Sequence, residues 1–400
     1  MAKAKKDKVS AAESPSKKED KKVISSQDIA LQLLKANKDD HINFEDEVYY
    51  KVSTGSFLFD KFMGGGGLAP GLHRFGGELP ETGKSSEALE AMKNHLSVIT
   101  ESRKGVYFDA EGKLNRETKG RSGVKFTTDA SEWVDGTCLI VQSNVFEFIL
   151  NFTSTLIKNN PEKTKYFFVL DSMDTVGLRK DLEKELEGDA KVAGVPKLFK
   201  QYCQKMANML AKLGHIFVII AQKSAAINID PYAAPDKKQM DAAGGNAVGH
   251  QASWVFYFLG RIKDDYILEY PDQKPDLFKN KLIGHKVRIA IKKSTNEKTG
   301  LVIYYYVKYG QEGGNSIWVS REIAELLVGS KLIGKSGSWF AFEENFRNEL
   351  IEKGFVVPES IQGMNNVYDF LEQNPDLIEY VKGKFEHFTF EQILNLSRES

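Results

Sequence analysis

The sequence predicts an α/β protein: a mostly parallel sheet flanked by helices. Three observations predict it. Short continuous apolar runs (Gly105–Phe108, Thr137–Val141, Tyr166–Leu170 and His215–Ala221) alternate with helical stretches, the pattern of strands buried on both faces. Several of these runs end in polar groups: Asp109 and Glu111, Asp171 and Ser172, and Gln222. Finally, Leu72-His73-Arg74-Phe75 passes through a glycine turn ending in Gly83-Lys84-Ser85-Ser86 into the helix-forming stretch Glu87–Leu96. Strand, glycine turn and helix is the order a phosphate-binding loop needs, because the helix N-terminus places partial positive charge under the phosphates.

With 400 residues, 41% of them hydrophobic, the chain is long enough for a sizeable core and more than one domain. Formal net charge is zero, so there is no overall basic field and a nucleic-acid partner must be held by local patches. Cys138 and Cys203 stand in apolar or amphipathic stretches without paired spacing, which reads as reduced core thiols rather than a disulfide or a metal site. No apolar run approaches a membrane span, and the N-terminus carries no hydrophobic signal segment. The expectation is a soluble, cytoplasmic protein without a membrane partner.

Residues 1–22 hold eight Lys against four acidic residues and almost no large apolar ones, the composition of a disordered basic tail. Loose attraction to DNA and simple solubilisation both account for it. In residues 23–47, Ser26-Gln27-Asp28 caps a short amphipathic helix bearing Ile29, Leu31, Leu33 and Leu34. The polar run Lys35–His41 detaches it, so it packs either on its own domain or on a neighbouring subunit. Residues 48–312 carry the strand–helix alternation, closing with Ser253–Leu259 and a hairpin of Lys286–Lys293 and Leu301–Val307. From about Gly313 the pattern is helical and amphipathic around a small unit at Ile333–Phe342, so residues 313–400 are read as a C-terminal domain.

In parallel sheets, ligands bind at the carboxyl ends of the strands, where the polar termini gather. Backbone N–H groups of Glu81, Thr82, Gly83, Lys84, Ser85 and Ser86 are placed to wrap a phosphate chain. Lys84 reaches the terminal phosphates and the Ser85 hydroxyl holds Mg²⁺. Asp171 is the expected second partner of that ion, through water. Glu111 is placed to polarise an attacking water. Gln222 is placed to sense the terminal phosphate, since an amide donates to it and pulls on the loop behind. One position departs: Glu78 stands where the usual loop has glycine, five residues before Gly83, with Gly76 and Gly77 just upstream. The loop alone is compatible with a plain glycine-rich turn; the ordered set of acids and amide behind it favours nucleotide chemistry.

Two stretches at this edge read as loops. Val176–Lys197 carries Arg179, Lys180, Lys191 and Lys197; Lys223–Asp241 carries Lys223, Tyr232, Lys237 and Lys238. Loops this long inside a compact domain are functional or disordered, and these suit a nucleic-acid backbone or a substrate lid. Lys292 and Lys293, at a strand end, are either surface charges or phosphate contacts.

Over roughly Ser53–Lys384 the chain resembles the bacterial RecA recombinases and their phage-encoded, UvsX-like relatives. The resemblance rests on Ser53-Thr54-Gly55-Ser56 with Asp60, Gly64–Leu68, Gly83–Ser86, Phe108–Glu111, Val169–Ser172, Gln222 and Gly244-Gly245-Asn246-Ala247. In the C-terminal part it rests on Ile333–Phe340, Gln362-Gly363 and Phe370–Pro375. It implies a RecA-like P-loop ATPase core with an N-terminal packing helix and a small C-terminal α/β domain. It implies ATP and Mg²⁺ bound between subunits of a helical homo-filament on single-stranded DNA, which is then paired with homologous duplex DNA. Lys84 and Ser85 would serve phosphate and Mg²⁺, Asp171 the Mg²⁺, Glu111 the attacking water and Gln222 the γ-phosphate sensor. The two long loops, with Gly244, Gly245 and Asn246, would bind DNA, and Lys292 and Lys293 would reach the neighbouring subunit's ATP.

The chain departs from the family's pattern at Glu78, and at Asn115 and Thr118, where the family meets adenine with an Asp and a Tyr. It departs again at His250, where bacterial members carry an interfacial aromatic, and in ending Ser-Arg-Glu-Ser rather than in an acidic tail. Together with the basic N-terminal extension, these changes suggest a divergent phage-type member. The implied activity is a DNA-dependent ATPase that coats single-stranded DNA and drives strand exchange. One rival is a hexameric helicase-type motor, against which the recombinase-like C-terminal domain argues. The other is a non-catalytic single-strand-binding filament protein, against which the joint retention of Lys84, Ser85, Glu111 and Asp171 argues.

Overall fold

The computed structural model describes residues 25–41, 43, 48–77, 79–183, 194–222, 251–270, 273–276 and 278–399. They fall into two units divided between Glu45 and Asp46. In the first, helix α1 (Ser26–Ala36) is capped by Ser25, one residue earlier than expected. That start puts Asp28 at the position where its carboxylate accepts from the Ser25 backbone at 3.3 Å while Ser25 Oγ accepts from the Asp28 N–H at 3.1 Å, a reciprocal capping box. Ile29, Leu31 and Leu33 are exposed.

The second unit opens with α2 (Phe57–Phe62), β1 (Gly71–Gly77), α3 (Lys84–Leu96), β2 (Arg103–Asp109) and α4 (Arg116–Ser122). β3 (Phe126–Thr127), β4 (Cys138–Val141), α5 (Phe146–Lys158), β5 (Lys165–Asp171) and α6 (Arg179–Leu182) follow. Then come α7 (Gly194–Lys212), β6 (Ile216–Gln222), β7 (Trp254–Phe258), β8 (Tyr266–Leu268), β9 (Leu282–Lys293) and β10 (Val302–Lys308). The sheet runs β10-β9-β7-β1-β6-β5-β2-β4-β3, with β8 beside β9. From β7 to β3 every pairing is parallel; β9 pairs antiparallel with β7, β8 and β10.

The apolar strands are continuous because both faces are covered. Tyr107, Phe167, Val169, Val218 and Phe256 pack on one side with α2 and α3. Val106, Phe108, Phe168, Leu170, Phe217 and Ile219 pack on the other with α5 and α7. Successive residues point to opposite faces, so alternate positions fill two cores. Cys138 and Cys203 are free, buried thiols within these cores.

The described part of Val176–Lys197 is more ordered than a loop: it holds α6 and the first turn of α7, which includes Lys197. Pro196 in that turn lacks an N–H the helix start does not need, and Phe199, fully buried, anchors the helix one turn on.

Beyond the sheet come α8 (Val319–Gly329), β11 (Ile333–Ser336), β12 (Trp339–Phe342), α9 (Glu344–Glu352) and β13 (Ile361–Gln362). Helices α10 (Met364–Glu372), α11 (Pro375–Lys384) and α12 (Phe390–Glu399) complete the chain. β11-β12-β13 form a small antiparallel sheet. The C-terminal core reaches back to Phe57, Leu58 and Tyr306. A buried carboxylate joins these segments: Glu322 accepts from Ser56 Oγ at 2.8 Å and from the N–H groups of Phe57 at 2.9 Å and Leu58 at 3.4 Å.

Burial pushes the Glu322 carboxyl up from 4.5 to about 8, against the pull of those three hydrogen bonds. Its folded-state value lies above its unfolded one, so the folded chain keeps a proton there that the unfolded chain has lost. This contribution is complete below the unfolded value and fades as pH rises through the folded one. The thermal midpoint should therefore fall between about pH 5 and about pH 8, and fall less in Glu322→Gln, which cannot ionise. Equal slopes in the two proteins would remove Glu322 as the cause.

Candidate functional site

The phosphate loop joins β1 to α3. Gly83 caps α3 with φ of 101°, a left-handed turn that glycine makes without strain. A Cβ on Gly77 would lie 2.7 Å from the Phe258 carbonyl oxygen and 3.4 Å from Lys84 Nζ, so this upstream glycine leaves room for Lys84 to lie along the strand end. Lys84 is buried; its Nζ donates to Leu79 O at 2.8 Å and to Thr82 Oγ1 at 3.2 Å. Burial lowers its pKa, and the charges of Asp171, Asp174 and Glu111 oppose that shift. Glu78 lies outside the described residues.

Ser85, in the first turn of α3, faces the end of β5. Its Oγ donates to Asp171 Oδ2 at 2.6 Å, and the Tyr107 hydroxyl donates to the same oxygen at 2.5 Å. Burial raises the Asp171 pKa; those two hydrogen bonds lower it, and the charges of Glu111 and Asp109 raise it further. A buried carboxylate crowded by other acids favours a neighbouring cation.

The acids after β2 divide their work. Asp109, level with Asp171 across the β2–β5 pairing, accepts from the N–H groups of Lys113 at 3.0 Å and Leu114 at 3.3 Å and so closes the turn. Glu111 accepts a short hydrogen bond from Ser172 Oγ and pairs with Lys113 Nζ at 2.5 Å. Burial pushes the Glu111 carboxyl up, but the bonds from Lys113 and Ser172 and the charges of Lys113 and Lys84 outweigh it, leaving the pKa below its usual value. Gln222 ends β6 level with Gly77, and its N–H donates to Asp174 Oδ2 at 2.5 Å.

The strand register thus brings Lys84, Ser85, Glu111, Asp171 and Gln222 to one edge of the sheet. Tyr107, Lys113 and Asp174 were not singled out from sequence, and Ser172 was read only as a polar strand end. Ser172 and Asp174 follow the end of β5; the role of Tyr107 depends on which strand lies beside β2, which no local pattern reveals.

Beside the loop lies a cleft of about 560 Å³ lined by Glu81, Gly83, Ser86, Thr118, Arg121, Arg261 and Tyr309 among others, a common size for small-molecule sites. The two residues expected near a base separate here. Asn115 caps α4 by accepting from the Thr118 N–H at 2.8 Å, whereas Thr118 lines the cleft. Lys292 and Lys293 are elsewhere. Lys293 pairs with Val255, well before the carboxyl end of β7, and Lys292 Nζ lies 5.6 Å from the Tyr257 ring centroid. They do not join this chain's own phosphate loop. Arg179 and Lys180 sit in α6 and Lys197 in α7. Lys191, Lys223, Tyr232, Lys237, Lys238, Gly244, Gly245, Asn246 and His250 lie outside the described residues.

A nucleoside triphosphate with Mg²⁺ fits this donor set: a buried ammonium, a left-handed glycine at a helix start, and a hydroxyl and carboxylate in contact. Among the described residues no group of three or more His, Cys, Asp or Glu could hold a metal. Ser85 and Asp171 would therefore share Mg²⁺ with phosphate and water oxygens, as Mg²⁺ sites commonly do.

Fold and site together define an α/β protein whose large, mostly parallel sheet gathers a cluster of polar side chains at its strand ends. No family model matches the chain. It is similar to the RecA protein of Zymomonas mobilis, 26% identical over 348 residues that cover 85% of this chain and 82% of that protein. It is similar also to RecA of Rickettsia canadensis, at 25% over 332 residues covering 82% and 80%. RecA of Cutibacterium acnes matches at 26% over 339 residues, covering 83% and 81%. Among solved structures, a RadB recombinase aligns with a TM-score of 0.42 and 16% identity over 66% of this chain and 98% of that one. These similarities to RecA proteins extend over most of the chain's length. Among the described residues, no helix is long and apolar enough to cross a membrane.

Proposed function

We propose that this protein is a DNA-dependent ATPase of the RecA recombinase type. It coats single-stranded DNA as a helical homo-filament and pairs that strand with homologous duplex DNA. The observation that carries this reading is the Ser85–Asp171 contact at 2.6 Å beside buried Lys84, on a chain similar to RecA proteins over more than four-fifths of its length. ATP with Mg²⁺ supplies a phosphoanhydride whose cleavage drives filament turnover. Lys84 and the loop N–H groups bind its phosphates, and Ser85 and Asp171 orient the ion. Glu111, held by Ser172 and Lys113, orients the attacking water. Gln222, tied through its N–H to Asp174, reads the terminal phosphate into the segment that follows it. Residues 176–197 and 223–241, with Gly244, Gly245 and Asn246, contact DNA, Lys292 and Lys293 act on a neighbouring subunit's nucleotide, and α1 docks on a neighbouring subunit. The departures at Glu78, Asn115, Thr118 and His250 support a phage-encoded, UvsX-like origin, with action in the host cytoplasm.

Electron microscopy with single-stranded DNA, with and without a non-hydrolysable ATP analogue, tests the reading. Extended filaments that require the analogue support it. Closed rings would replace it with a hexameric motor, and coating indifferent to nucleotide with a passive single-strand binder.

A further inference from the structure

The outer wall of the phosphate loop is built by the segment leaving β7. A Cβ on Gly260 would lie 2.7 Å from Leu79 Cδ1, so the bare backbone at 260 lets the loop's leucine close down on it. One residue on, Arg261 Nη2 donates a short hydrogen bond to Glu81 O, inside the loop itself. The segment is firmly founded. Arg288 Nη2 donates to Gly260 O at 2.9 Å, and Arg288 Nε pairs at 3.0 Å with Asp265, whose side chain is buried and also accepts from the Ile262 N–H at 2.8 Å.

Arg261 also lines the 560 Å³ cleft, and its Nε is a buried donor with no hydrogen-bond partner among the described residues. An unpaired buried donor is costly, and in a ligand cleft it points to an acceptor supplied by the ligand. The guanidinium is permanently charged and matches phosphate geometry. Its fixed point, Glu81 O, belongs to the loop that the proposed function assigns to phosphate. We propose that Arg261 is a nucleotide-contacting residue, bracing the phosphate loop through Nη2 and offering Nε–H to a phosphate oxygen of the bound nucleoside phosphate. This rests on the nucleotide reading of the site.

Titration calorimetry of the full-length chain with Mg·ADP at several salt concentrations, on wild type, Arg261→Gln and Arg261→Lys, tests it. Arg261→Gln should bind ADP roughly tenfold more weakly with a shallower salt dependence, and Arg261→Lys should recover part of both. The melting temperature without nucleotide should be nearly the same in all three. Unchanged ADP affinity in Arg261→Gln would overturn the proposal. So would a loss that tracks a lowered melting temperature, leaves the salt dependence intact and is not relieved by lysine. Wild type that binds no ADP would instead overturn the nucleotide reading, and this proposal with it.

Discussion

Glu111→Gln should reduce ATP turnover by roughly a hundredfold or more while nucleotide and single-stranded DNA still bind. The substitution keeps an oxygen to accept from Ser172 but removes the negative charge that would align a water. Glu111 is held ionised, since Lys113 and Ser172 outweigh the upward push of burial. A carboxylate of lowered pKa is a weak proton acceptor, so its contribution lies in orientation and field more than in basicity. A second consequence follows with a definite sign. Removing the cation in Lys113→Ala should raise the Glu111 pKa, so the acid limb of the pH–rate profile should move to higher pH. Phosphate release measured with and without single-stranded DNA decides both; turnover in Glu111→Gln equal to wild type would remove Glu111 from the reaction.

Lys84→Ala should abolish detectable nucleotide binding at concentrations that saturate the wild type. Lys84 Nζ is the cation enclosed by the loop, and the carboxylates of Asp171, Asp174 and Glu111 all act on it. Deleting it takes away a phosphate partner and leaves those acids facing the same space, so repulsion is added to lost attraction. Lys84→Met, which preserves the buried stem, separates charge from packing. If methionine binds nucleotide as lysine does, the ammonium is not the phosphate contact. If both variants fail to bind yet melt near the wild-type temperature, loss of charge is the cause.

Much of this architecture was legible from local pattern. Strands covered on both faces announce themselves as unbroken apolar runs, and the helix after Gly83 follows from its composition. The hairpin of β9 and β10 was readable from two β-rich runs around a glycine-containing turn. What remained hidden depends on neighbours distant in sequence. Tyr107 looks like any core aromatic until β5 is placed beside β2 and its hydroxyl meets Asp171. Arg261 gives no local signal, because its partner Glu81 is 180 residues away. Asp109 and Glu111, acids on either side of Ala110 in one motif, separate into a turn-former and a site residue only through which N–H groups the turn presents. The first turn of α7 reads as loop because small and charged residues there mask a helix that Phe199 secures from within.

The sheet order also bears on how the chain is made. β1, formed by Gly71–Gly77, lies between β6 and β7, whose residues come about 140 and 180 positions later. During synthesis its backbone donors and acceptors must wait, and its second edge is satisfied only once Trp254–Phe258 has left the ribosome. Distant parallel pairings of this kind are slow to close and leave strand edges open to other chains meanwhile. A nascent or truncated chain ending before β7 would carry the complete phosphate loop beside an open strand edge, a species suited to capture by chaperones or to aggregation rather than to nucleotide binding. Competence for ATP would thus arrive late in translation, once the sheet closes around β1.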